Sequence, residues 1–233
     1  MKELQQYCGS THNAYPGYRY EFYRAKMNHH LHGISAVPCE AVIGTVRPWL
    51  VALLASAYSA GIKKEELVTR HIDHLCYRCG SREEYINVRS RLTQDNIIGE
   101  LVVEGMIGGR PISTIKLAQP FEFEEWSIPA IEVTCPKPGR QHKVGFEHIE
   151  VVIGTEDDSF LDSKKLLSQY QQQYPHINFD TKAFDKEINA DISIDLGPDL
   201  GSIKFHARSL LDVCMYEKNH GMVEMVPMDY FDS

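Results

Sequence analysis

An internal repeat constrains this chain more than any other feature of its sequence. Asp73-His74-Leu75 is echoed by Glu147-His148-Ile149, 74 residues later. Ala130-Ile131-Glu132-Val133 is echoed by Ser202-Ile203-Lys204-Phe205, at an offset of 72 residues. Two anchors at nearly equal offsets, with the same order of predicted elements between them, indicate a duplicated supersecondary unit. We therefore expect two copies of one folding module.

Each copy is predicted to be a βαβββ module, with one helix between the first and second strands. In the first copy Ser81 is the predicted N-cap of a helix that ends near Gln94, and the strands are 72–79, 97–104, 110–117 and 126–135. In the second copy the helix is 159–174, and the strands are 145–153, 177–182, 190–196 and 202–206. This order predicts an α+β fold in which a curved mixed sheet forms a cup.

The repeat also sets the domain organisation. We assign an irregular N-terminal extension to 1–37, a helical segment to 38–70, module 1 to 71–138, module 2 to 139–211 and a C-terminal tail to 212–233. Apolar residues recur at helical spacing from 40 to 60, and Gly61 ends the pattern as a C-terminal glycine does. A further helical turn is predicted at 63–67, and helical character at the start of the tail.

Composition and charge disfavour nucleic acid and membranes as partners. The formal net charge of −8 disfavours nucleic acid, whose phosphates need a basic surface. The longest apolar stretch, 48–62, is shorter than the ~20 residues that span a bilayer, and the polar N-terminus lacks the apolar region of a signal peptide. We therefore expect a cytoplasmic protein without membrane contact, whose six cysteines are reduced thiols. A monomer and a homodimer are both compatible with the sequence.

Strand alternation predicts that ionisable side chains line one face of the sheet. His74, Glu132 and His148 fall on the face opposite the apolar residues of their strands. Two imidazoles and one carboxylate form the facial triad that holds a divalent transition metal and leaves positions open for substrate. We predict these three residues as ligands of one metal, with Fe, Mn, Ni and Zn all compatible.

Structural interpretations compete with this prediction. A strand histidine often only fills the core, and Glu132 could pair with Arg78 or Arg110 in a buried ion pair. Cys76 and Cys79 have the spacing of a redox pair or a zinc knuckle. A second such pair is missing from the sequence, and a strand would place the two thiols on opposite faces. We predict no function for that pair.

Four motifs in this sequence resemble the YecM family. They are Asp-His-Leu-x-x-Arg-Cys at 73–79, Glu-x-Met-Ile-x-Gly-Arg-Pro at 104–111, Gly-Phe-Glu-His-Ile-Glu-Val-Val at 145–152 and Ile-Lys-Phe-His at 203–206. The resemblance spans roughly residues 40–211 and extends to the vicinal oxygen chelate superfamily, which includes glyoxalase I, extradiol dioxygenases and epimerases. It implies paired βαβββ modules with a metal in the cup, held by residues of the first and last strands of each module.

The ligand positions implied by the resemblance are His74, Glu132, His148 and Lys204. Lys204 departs from the pattern, because a carboxylate is usual there and an ammonium group repels a cation. This departure puts a four-ligand, glyoxalase-like site in doubt. His206, two residues further on the same face, could replace the missing ligand or bind substrate.

The resemblance further implies a metal-dependent enzyme whose small, anionic substrate chelates the metal through two oxygens. Glu150 and His206 are the candidates for proton transfer, and the candidates for substrate binding are Arg78, Lys116, Lys204 and Arg110. Isomerase, lyase and oxygenase chemistry all stay open. The alternative is a metal-free module of the same fold that binds an anion, and a third hypothesis gives residues 7–32 a scaffold role.

Overall fold

The computed structural model describes residues 38–140, 142–155 and 162–231. The extension predicted at 1–37 lies outside these residues, as does the beginning of the helix predicted at 159–174. The described residues form an α+β fold with one open, mixed sheet of seven strands. Among them, no helix combines the length and the apolar character needed to cross a membrane.

Most of the predicted elements are confirmed, with shifted ends. The strands are β1 (His71–Arg78), β2 (Gly99–Ile107), β3 (Arg110–Phe123), β4 (Trp126–Thr134), β5 (Gly145–Val152), β6 (Asp191–Asp195) and β7 (Ser202–His206). The helices are α1 (Glu40–Ile43), α2 (Arg47–Ala60), α3 (Lys64–Leu67), α4 (Arg82–Thr93), α5 (Ser163–Gln173) and α6 (Leu210–Asn219). The N-cap prediction is also confirmed, because the hydroxyl of Ser81 accepts a hydrogen bond from the backbone N–H of Glu84.

The sheet has the strand order β2-β3-β4-β1-β5-β7-β6. In the first half, β1 lies parallel to β4, and in the second half β5 lies parallel to β7. The two halves meet where β1 pairs with β5 in an antiparallel manner. We call this central pair the seam.

The prediction of a strand at 177–182 is wrong. Only an isolated bridge between Asp180 and Ser193 forms there. The side chain of Asp180 accepts a hydrogen bond from the backbone N–H of Lys182, which turns the chain instead of extending it. Within the described residues, the second half therefore adds three strands to the sheet and the first half adds four.

The helix predicted from 40 to 60 is broken into α1 and α2. Gly44 has a φ of 84°, a left-handed value that cannot continue a right-handed helix. The carboxylate of Glu40 accepts a hydrogen bond from the backbone N–H of Val46 at 2.8 Å, immediately before α2. The predicted end of α2 is confirmed, because Gly61 has a φ of 109° and caps it.

One face of the sheet is apolar and packs against helices. Six hydrophobic residues are Cα partners across six strands, and all are buried: Ile115, Ile131, Leu75, Ile149, Ile203 and Ile194. Helix α2 packs here through Trp49, whose ring stacks on Phe146, and α5 packs through Tyr170 against Phe205. Burial of each large aliphatic side chain contributes about 1.5–3 kcal/mol, so this row fixes the register and leaves the opposite face to polar residues.

The C-terminal segment covers part of the polar face and one edge of the sheet. At the start of α6 the backbone N–H of Leu210 donates to Asp73, and further along Cys214 donates to the hydroxyl of Thr114. Beyond the helix, the backbone N–H of Met106 on the edge strand β2 donates to the carbonyl of Glu224 at 2.7 Å. The tail thus accepts a hydrogen bond from a backbone N–H that an exposed edge strand would offer to another chain.

Candidate metal centre

Two neighbouring rows of side chains on the polar face bring the candidate residues together. One row crosses the strands as Lys116, Ala130, His74, Glu150 and Lys204. The next row crosses them as Thr114, Glu132, Cys76, His148 and Ser202. Because strand pairing fixes these rows, residues far apart in the sequence become neighbours at the seam.

The three predicted ligands converge. His74, Glu132 and His148 each offer one ligand atom, and these atoms all lie within 4.8 Å of one another. The Nε2 atom of His148 lies 3.9 Å from Oε2 of Glu132. Metal–nitrogen and metal–oxygen bonds of about 2.1 Å place two tetrahedral ligands about 3.4 Å apart, so a small side-chain rotation closes the difference.

Unsatisfied ring nitrogens show that this donor set fits a cation. Nδ1 of His74 lies 2.9 Å from Oδ2 of Asp73, which leaves Nε2 for another partner. No described residue accepts or donates a hydrogen bond at this Nε2, and its distance of 3.7 Å to Glu150 is too long for one. Nδ1 of the buried His148 also lacks a hydrogen-bond partner among the described residues, whereas its Nε2 lies 3.2 Å from Oε1 of Glu150. Buried nitrogens without partners are costly, and a bound divalent cation would satisfy them.

Two β-bulges add carboxylates that the strand alternation had not predicted. Asp73 is an extra residue on β1, between the pairs formed by Ile72 and His74, and it reaches His74 on the polar face. Glu147 is an extra residue on β5, and it accepts two hydrogen bonds from Arg78. A bulge re-aims a side chain in this way. The repeat was the available signal, because it aligns Asp73 with Glu147.

Glu150 is the hub of the buried cluster. Its Oε1 accepts a hydrogen bond from Nζ of Lys204 at 2.8 Å and lies 3.2 Å from Nε2 of His148. Its Oε2 lies 3.4 Å from Nδ1 of His206. Burial alone would raise the pKa of Glu150, but the charge of Lys204 and the surrounding histidines hold it well below its usual range. Glu150 is therefore ionised at neutral pH.

The two candidate ligand histidines have opposite pKa shifts. Burial would lower the pKa of His74, but the carboxylates of Glu150, Asp73 and Glu132 raise it to about 9. Burial and the charge of Lys204 lower the pKa of His148, despite its carboxylate neighbours. At neutral pH His148 is a neutral ligand, whereas His74 would release a proton on binding a cation.

Two of the four candidate substrate-binding residues already form ion pairs within the chain. Lys204 pairs with Glu150, and Arg78 pairs with Glu147 instead of Glu132. Lys116 is exposed at the end of its row, and Arg110 is half-buried. Their roles in substrate binding stay predictions.

His206 is fully buried beside the cluster. Its Nε2 lies 3.4 Å from Oδ2 of Asp73, and its Nδ1 lies 3.3 Å from Oδ1 of Asn189. Its ring centroid is 6.2 Å from that of His74, which matches the 6.1 Å between His74 and His148. The structure therefore places His206 beside His74, one of the three predicted ligands, and beside Glu150.

The fold and this cluster define a class: an α+β protein whose open mixed sheet buries a histidine–carboxylate cluster on one face. The chain belongs to the YecM protein family, whose sequence model matches residues 40–217. The resemblance found in the four motifs is confirmed to that extent.

Individual relatives agree with this assignment. Protein YecM of Escherichia coli (strain K12) is 28% identical over 152 residues, which are 63% of this chain and 78% of that protein. An uncharacterized protein of Haemophilus influenzae is 32% identical over 82 residues, which are 35% of this chain and 41% of that protein. The solved structure of Protein EC4020 has a TM-score of 0.59 at 25% identity, and the match covers 79% of this chain and 99% of that one.

Proposed function

We propose that this chain is a divalent-metal-dependent enzyme of the vicinal oxygen chelate type, acting on a small anionic substrate. The observation that carries the proposal is the convergence of His74, Glu132 and His148, in which Nε2 of His74 and Nδ1 of His148 are buried without a hydrogen-bond partner among the described residues. The parallel pairing of the first and last strands in each half supports it, because paired βαβββ modules place those strands side by side. The segment 177–182, which does not form the predicted strand, bridges to β6 and not to the seam, so this pairing is intact.

A divalent cation held there would act as a Lewis acid on two substrate oxygens. Lys204 is charged, because burial lowers its pKa less than the carboxylates led by Glu150 raise it. Its side chain keeps 27% of its surface exposed. It can therefore hold an anionic group of the substrate while Glu150 fixes its position. Since Glu150 is ionised and has a low pKa, it is a weak base, and His206 is the better candidate to move a proton.

The three reaction classes that the sequence left open differ in a simple observable. An extradiol-type oxygenase requires Fe(II) and consumes oxygen during turnover. An isomerase or lyase tolerates Ni, Mn or Zn and consumes none. Oxygen uptake by the metal-loaded protein, measured with candidate chelating substrates, therefore separates the classes once the metal is known.

The first prediction concerns metal content. Elemental analysis of the purified, untagged chain is expected to find about one equivalent of a transition metal in the parent protein. His74→Ala and Glu132→Ala each remove one of three ligands and are expected to lose it. His176→Ala removes an exposed histidine and serves as the matched control. A parent chain that contains no metal, and gains no thermal stability from added divalent ions, would contradict the proposal.

The second prediction concerns Asp73, which we propose positions His74. Its carboxylate accepts from Nδ1 and so directs Nε2 towards the site. Asp73→Asn keeps the shape but removes the charge, and we expect metal affinity to fall about 10- to 100-fold. Competition with a fluorescent chelator measures the affinity. Glu104→Gln is the control, because Glu104 on the edge strand β2 is a partly buried carboxylate that pairs with Arg89. Equal affinities in the parent and Asp73→Asn would remove the positioning role.

A further inference from the structure

We infer a second metal position beside the first, formed by Cys76, Glu147 and His148, which takes a thiophilic divalent cation such as Zn²⁺ or Cd²⁺. These residues each offer one ligand atom, and the three atoms lie within 4.8 Å of one another. The set shares only His148 with the predicted ligands of the first position. It arises because the bulge on β5 turns Glu147 towards Cys76.

The distance between sulfur and oxygen already matches that of two zinc ligands. Sγ of Cys76 lies 3.7 Å from Oε2 of Glu147. Zinc–sulfur bonds of about 2.3 Å and zinc–oxygen bonds of about 2.1 Å, at a tetrahedral angle, place the two ligand atoms about 3.6 Å apart. A cation could therefore join this pair without any rearrangement of the backbone.

His148 gives independent support for a bound cation at this position. It is 4% exposed, and its Nδ1 has no hydrogen-bond partner among the described residues, whereas its Nε2 lies 3.2 Å from Oε1 of Glu150. A single cation at the first position would use one nitrogen and leave the other unsatisfied. Cys76, which is 0% exposed, lies in the same row as His148 and is its Cα partner on the neighbouring strand.

Arg78 orients the carboxylate of Glu147 without blocking it. Nε of Arg78 donates to Oε2 at 2.8 Å, and a second guanidinium nitrogen donates to Oε1. A carboxylate oxygen has two lone pairs, so it can accept a hydrogen bond and bind a cation together. Carboxylates that bind metals are commonly held by such a neighbour.

The thiol gives this position a different selectivity from the first. Thiolate ligands favour Zn²⁺ and other soft cations, whereas imidazole and carboxylate ligands also accept Mn²⁺ and Fe²⁺. On binding, the S–H bond of Cys76 breaks, the metal–sulfur bond forms and the proton passes to solvent. The softness of the cation thus decides which of the two positions it occupies.

Cobalt spectroscopy of the full, metal-free chain tests this inference. Added Co²⁺ is expected to produce a sulfur-to-cobalt charge-transfer band in the near ultraviolet, which Cys76→Ala abolishes. Cys79→Ala removes another buried thiol, one residue after the end of the same strand, and should keep the band. Cys76→Ser, whose hydroxyl retains a donor to Glu147, is the second variant if alanine impairs folding, and circular dichroism checks both. Absence of the band in the parent, or its survival in a folded Cys76 variant, overturns the inference.

The same experiment separates this inference from the proposed function. His74→Ala removes a ligand of the first position and none of the second, so the cobalt band should persist in it. If the parent binds one metal that His74→Ala removes and shows no band, this inference fails and the proposed function stands. If the band is present but neither His74→Ala nor Glu132→Ala loses metal, the proposed function fails and the second position stands.

Discussion

Replacing Glu150 by alanine is expected to lower the free energy of unfolding by about 3 kcal/mol. The carboxylate is buried and accepts a hydrogen bond from the ammonium group of Lys204 at 2.8 Å. Its removal leaves the charge of Lys204 without its partner. Loss of one partner of a buried pair costs about 3–5 kcal/mol. We expect the lower end because the Lys204 side chain is 27% exposed and regains some solvation. Equilibrium urea unfolding of the metal-free chain measures the change.

An exposed ion pair provides the matched control for Glu150. Asp185 lies 3.3 Å from Lys164, and the side chain of Asp185 is 91% exposed. Asp185→Ala removes a carboxylate of the same charge and should change stability by no more than about 0.5 kcal/mol. The double variant Glu150→Leu/Lys204→Met should recover most of the loss, because it removes both charges. If Glu150→Ala loses no more stability than Asp185→Ala, the buried pair of Glu150 and Lys204 does not stabilise the fold.

Gly201→Ala is expected to destabilise the chain by about 4 kcal/mol. Gly201 precedes β7 and has a φ of 86°, which an L side chain rarely adopts. A Cβ atom there would also overlap the backbone carbonyl of Glu147 on the neighbouring strand β5. Because backbone atoms cannot move aside as a flexible side chain can, β5 and β7 would have to separate. Thermal and urea unfolding report the loss.

Gly197 in the same connection separates the steric overlap from the backbone strain. It has a φ of 99°, and a Cβ atom there would meet no other atom within 4 Å. Gly197→Ala should therefore show only the conformational cost, about 1–2 kcal/mol. An equal effect of the two substitutions would mean that the close approach of Gly201 to Glu147 contributes nothing to stability.

The features that sequence predicted best are those that depend on local periodicity. The ends of β7 at Ser202 and His206 were predicted to the residue, and so was the N-cap at Ser81. The convergence of His74, Glu132 and His148 was predicted because strand alternation and the repeat both placed them on one face. Such patterns are repeated along a strand, so a single sequence carries them.

The missed features depend on single interactions between distant or unusual residues. Strict alternation places Asp73 and His74 on opposite faces, and the bulge that unites them is defined only by pairing with β5. The segment 177–182 has the apolar content of a strand, but the side chain of Asp180 bonds to its own backbone instead. The docking of Leu210 on Asp73 joins residues 137 positions apart, which no local pattern encodes.

The seam also gives the cluster an approximate two-fold axis with unequal ends. His74 is the Cα partner of Glu150, and Cys76 is the Cα partner of His148. The 74-residue offset relates His74 to His148, so it exchanges these two pairs. Under the same relation Cys76 corresponds to Glu150. Glu132 and Lys204, at the nearly equal offset of 72 residues, also occupy equivalent places and carry opposite charges. A symmetric cluster would accept a ligand equally well in either of two opposed directions. This cluster is polarised, so under the proposed function a substrate with a chelating end and an anionic end would bind in a single orientation, and the handedness of its reaction would follow from that choice.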